Sequence, residues 1–222
     1  MNTETSFTTG VSLKPDSPRP SGGNLTDARL RFPRLPFTRK EAGAIAGLVD
    51  ARDALLLLDF RASRATAMNP LLAQYRILHL SAHGLLDTQT PDRSAIVLSL
   101  VDEHGSPQNG FLSLQDIYDM NLPAELVVLS ACQTALGKHT GGEGLVGLTR
   151  GFMYAGSKRV MASLWKVGDE ATSELMKVFY KGVLKNGQSP AAALRSAQMA
   201  FRQRPDFRAP FFWASFTLQG EY

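Results

Sequence analysis

Short apolar runs recur along the chain at residues 54–58, 77–82, 95–100, 126–130, 159–164 and 212–218, each closed off by polar or turn-forming residues. Nearly continuous aliphatic runs of this length predict strands buried on both faces. The turn cluster VDEHGSPQNG at 101–110 predicts a hairpin between 95–100 and the short 111–112. Helical spacing separates these runs. It predicts helices over 41–49, over 114–119 behind the N-cap Ser113, and over 143–155, where Leu145, Leu148, Phe152 and Ala155 recur on one face. A fourth helix starts with Asp169 as its cap and turns Ala171, Leu175, Val178, Phe179 and Gly182 inward, and a fifth runs from Ser189-Pro190 through Arg202. Strands alternating with helices predict an α/β sheet covered on both faces.

The first 32 residues break this pattern. They are polar, rich in Pro, Gly, Ser and Thr, and read as a tail or linker, which leaves 33–222 as one domain. Residues 1–40 carry seven Lys or Arg against three acids, so the whole formal charge of +4 resides there and the remainder, with 17 of each sign, is neutral. No basic stripe interleaved with aromatics accompanies it, which argues against a nucleic-acid partner. No run reaches the roughly 18 apolar residues of a membrane span, and the start lacks the order of a signal peptide. A cytoplasmic protein without membrane contact is expected.

Two of the strand-like runs end on reactive side chains. ILHLSAHG delivers His83 and LVVLSACQT delivers Cys132, 49 positions later. Cys132 is the only cysteine, so it forms no internal disulfide and completes no multi-cysteine zinc site; it is either a buried small residue or a nucleophile. Open parallel sheets present functional residues at the carboxyl ends of their strands, which favours the nucleophile. The interval also agrees with the His-to-Cys spacing of about 50 in caspases. His79 shares strand parity with His83 and reads as a hydrogen-bonded packing residue; His104 and His139 sit in glycine-containing loops. No metal-ligand spacing links them, and no cofactor or metal is expected.

A His-Gly pair after one strand and Ala-Cys after another resemble the caspase, gingipain and separase clan of cysteine peptidases. The wording is closest to the CHAT domain, the caspase-like domain found beside TPR repeats. Downstream, GGEGLVGLTRGFMYAG (141–156), KRVMASLWKVGDEAT (158–172) and APFFWASFTLQG (209–220) follow in the family's order, and upstream LPFTRKEA and ALLLLDF resemble its middle region, so the likeness covers residues 33–222. The resemblance implies a caspase-like three-layer α/β/α sandwich around a mostly parallel sheet. Because the chain opens on a polar tail, the sheet is expected to lack its usual N-terminal strand and to self-associate through the exposed edge.

The resemblance also implies an activity: a cysteine endopeptidase that cuts a protein or peptide through a Cys132 thioester, with His83 as base and acid. The backbone N–H groups of Gly84 and Cys132 would form the oxyanion hole. SLWKVGDE resembles the segment that shapes the S1 pocket, which nominates Asp169, then Glu170, with Trp165 on the wall. A TPR or other sensor region, in cis or in trans, would gate the site. The alternative is a caspase-like scaffold that binds a partner without turnover.

Overall fold

The fold is a computed structural model that describes residues 5–9, 32–87, 93–130, 132–136 and 143–221, of which 5–9, 132–136 and 143–145 are described as backbone. Its strands are β1 (Thr5–Thr9), β2 (Ala54–Leu57), β3 (Ile77–Ser81), β4 (His83–Asp87), β5 (Ala95–Val97), β6 (Phe111–Ser113), β7 (Leu126–Leu129), β8 (Cys132–Leu136), β9 (Arg159–Ser163) and β10 (Phe216–Gly220). The helices are α1 (Pro36–Ala46), α2 (Arg64–Ala67), α3 (Leu114–Tyr118), α4 (Glu143–Tyr154), α5 (Asp169–Leu184), α6 (Pro190–Arg202) and α7 (Pro210–Trp213).

Six strands in the order β10-β9-β7-β3-β1-β2 form the main sheet, parallel except for β10. Alternation along β3 divides the core in two. Leu78 and Leu80 pack on one side with Ile117 of α3 and Leu148 and Phe152 of α4, whereas Ile77 packs on the other with Ile45 of α1, Leu175 and Phe179 of α5 and Phe201 of α6. Helices on both faces explain why these strands lack polar alternation. The α3–α4 side closes tightly, since a Cβ on Gly151 would lie 2.8 Å from Leu114 Cδ1.

β3 and β7 each run on past a short break into a second sheet of order β6-β5-β4-β8, where β4 and β8 remain parallel and β5 and β6 add the expected hairpin. The mostly parallel three-layer architecture is therefore present.

Several expectations need correction. The sheet does not lack a strand between β3 and β2: Thr5–Thr9 fills that place and is parallel to both. The segment TSFTT is rich in β-branched and aromatic residues, which suit a pleated strand, but the Pro- and Gly-rich stretch that follows disguises it in composition. With β1 paired to both β2 and β3, the missing strand given as the reason for self-association is present. The first helix starts at Pro36 rather than Glu41, because proline at N1 needs no hydrogen-bond partner for its missing N–H. The last strand starts at Phe216, since Pro210 first opens the single turn α7. The N-cap of α5 is Gly168 and makes no side-chain cap; Asp169 is its first helical residue.

Candidate active site

The breaks after β3 and β7 fall at equivalent places, and the ladder keeps its register across them. Leu80 pairs with Leu129 before the break and His83 pairs with Cys132 after it. Ser130 N–H donates to Leu80 O between the two, at 2.9 Å. Thus the backbones of His83 and Cys132 are direct partners in a parallel pair, whose strands lie about 4.8 Å apart. Gly84 follows within β4, with Ile96 on one side and Gln133 on the other, so its backbone is an extended ladder segment and not a turn.

His83 is 6% exposed. Its Nε2–H donates to the carbonyl of Pro33 at 2.6 Å, and its ring leans on Phe32 with centroids 5.6 Å apart. Phe32 in turn packs edge-on against Phe111 and joins the small cluster of Leu85 and Val97. The hydrogen bond selects a tautomer: with the proton on Nε2, the neutral ring keeps Nδ1 as its basic nitrogen. Burial pushes the imidazole pKa below the ordinary histidine value, the Pro33 carbonyl partly opposes this, and the positive charge of Lys166 pushes it further down.

His79, on β3, is fully buried. Its Nε2–H donates to Glu41 Oε1 at 2.7 Å, and Nδ1 lies 3.0 Å from the Tyr180 hydroxyl. The packing role expected for it is thus met through α1 and α5. Burial, with the Glu41 charge beside it, holds the Tyr180 hydroxyl well above its usual pKa. With both ring nitrogens so engaged, His79 offers no lone pair to a metal. His104 is exposed in its loop, as expected. His139 and the side chains of Cys132 and Glu143 lie outside the described residues.

The segment between β9 and α5 carries the residues nominated for specificity. Trp165 is half-buried and its Nε1–H donates to Phe211 O at 2.9 Å; Lys166 and Glu170 are exposed. Asp169 is half-buried and points at another element: its Oδ2 accepts the Phe37 N–H of α1 at 2.7 Å. Burial pushes its carboxyl pKa up, the Phe37 hydrogen bond opposes this, and the Glu41 charge adds to the rise.

Three participants escaped the sequence reading: Pro33, Phe32 and Lys166. Pro33 acts through a backbone carbonyl, which every residue type has. Phe32 carried a usable signal, since an aromatic next to proline at the end of a polar tail suggests an anchored segment. Phe32 and Pro33, which stand on either side of the expected domain boundary, both contact His83.

A family model described as the CHAT domain matches residues 6–221. Tetratricopeptide repeat protein 28 of Mus musculus is 39% identical over 109 residues, and that of Homo sapiens 37% over 113 residues. These alignments cover 49% and 51% of the chain but 4% of either relative's length. Among solved structures, the Arg-specific cysteine proteinase gingipain R aligns with a TM-score of 0.58 at 10% identity, over 98% of this chain and 46% of that one.

Proposed function

This chain belongs to the CHAT domain family, and from that membership and the paired backbones of His83 and Cys132 we propose that it is a cysteine-type endopeptidase. The observation that carries the reading is the coincidence at one ladder rung of a thiol-bearing residue and a histidine whose tautomer is set by Pro33. Neutral His83 accepts the Cys132 proton on Nδ1. The thiolate attacks the scissile carbonyl carbon, and the electron pair moves to the carbonyl oxygen, for which the N–H groups of Gly84 and Cys132 are the proposed donors. The C–N bond then breaks as the imidazolium protonates the departing amine, leaving a thioester. Water, deprotonated by His83, hydrolyses the thioester and restores the thiol.

The segment from Trp165 to Glu170 is the proposed pocket wall. Of its two acids Glu170 is the exposed one, while Asp169 is already engaged by Phe37, so a preference for basic P1 residues would rest chiefly on Glu170. The curated relatives are tetratricopeptide repeat proteins, which supports a place for this domain beside such repeats; a protein or peptide as substrate and the repeats as its gate complete the proposal.

The reading is tested with an acyloxymethyl-ketone peptide probe bearing P1 Arg, followed by a peptide library. Covalent labelling at Cys132, lost in His83→Ala, together with turnover of library members is the expected result. No labelling and no turnover, with or without a TPR partner, would favour the non-catalytic scaffold.

A further inference from the structure

We propose that Asp169 is a positioning residue for His83: its carboxylate holds the first turn of α1 in place, and with it the Phe32-Pro33 segment whose carbonyl orients the imidazole. This rests on the reading of His83 as the catalytic base.

The helix start that Asp169 engages is deficient by itself. The N-cap of α1 is Leu35, which has no side-chain oxygen to offer, and the first turn of α1 contains no acid. Its leading N–H groups therefore lack the usual local acceptor and the usual compensation of the helix dipole. Asp169, 132 positions away in sequence, supplies both by accepting from Phe37 N–H at 2.7 Å.

The link from Phe37 back to Pro33 is short and stiff. Pro33 and Pro36 have fixed φ angles, and both the N–H and the hydroxyl of Thr38 donate to Leu35 O, at 3.3 and 2.8 Å. A shift at Phe37 is thus passed to the Pro33 carbonyl and not absorbed by a flexible linker. At the far end, that carbonyl sets the His83 tautomer by accepting from Nε2–H, and the Phe32 ring leans on the imidazole. The raised carboxyl pKa of Asp169 fits a group held inside the protein on an internal donor.

The test is a side-chain NMR titration of His83 in the full chain, alongside the rate of Cys132 alkylation by iodoacetamide. Asp169→Ala, and the more conservative Asp169→Ser if the first is poorly folded, should loosen the segment and expose the ring. The His83 titration should then rise towards the free-imidazole value of about 6.5. Alkylation at neutral pH should slow on the order of tenfold, as expected for a partly misplaced base. Asp169→Asn keeps an acceptor oxygen and should retain the native titration. An unchanged His83 titration in Asp169→Ala and Asp169→Ser, or no rescue by Asn, would overturn the proposal. Because this readout needs no turnover, a shifted titration in a protein that cleaves nothing would support the latch while refuting the peptidase.

Discussion

His83 and Cys132 are Cα partners at the first rung of the parallel β4·β8 ladder. The same offset already joins Ile77 to Leu126 and Leu80 to Leu129 in the main sheet. The reactive pair is thus aligned by the register of β3 on β7, which the two packed cores enforce, because a slip of one residue would move every side chain of the slipped strand into the core on the opposite face.

If the two residues act as one catalytic unit, Cys132→Ala and His83→Ala should each abolish peptide cleavage, and the double variant should be no worse than either single. Peptide turnover by the three variants checks this. Substantial cleavage by Cys132→Ala would sink the assignment.

The pH dependence follows from burial of His83, helped by the Lys166 charge, which lowers its pKa in the folded state. The neutral base therefore persists below the ordinary value of about 6.5, and the acid limb of kcat/KM should have its midpoint below that value. Lys166→Ala should move the limb upwards. As pH falls through about 6.5, the unfolded chain takes up the proton first, so the contribution of His83 to stability is full above that pH and declines until the folded-state pKa is passed. His83→Ala should flatten that slope in urea titrations. A steeper slope would contradict it.

Glu41 should matter for stability far more than for chemistry. It and His79 are both fully buried, and removing Glu41 takes away the acceptor of the His79 Nε2–H in a place closed to water. Glu41→Ala is expected to cost on the order of 3–5 kcal/mol, the range for breaking a buried pair. Chemical denaturation measures it directly, and a loss below about 1 kcal/mol would show that water takes over the bond.

Deleting residues 1–9 should destabilise the domain and promote association, because β1 supplies ladder partners to both β2 and β3. A truncated chain that stays monomeric, with its native melting temperature, would show that β1 contributes little.

The apolar runs were sufficient for the layered α/β plan and for most strands and helices, since burial on two faces leaves local traces in the sequence, and the nomination of His83 and Cys132 rested on their places just after two such runs. β1 was not legible in this way. Its β-forming residues are few and stand next to a Pro- and Gly-rich stretch, and only pairing with β2 and β3 makes them a strand. Nor could the sequence show the Pro33 carbonyl on His83, or Asp169 on the Phe37 amide, across 50 and 132 positions respectively. Backbone acceptors and donors are the same in every residue, so which of them meets a given side chain is decided only when the packing of α1 against α5 and the sheet brings them within hydrogen-bond reach.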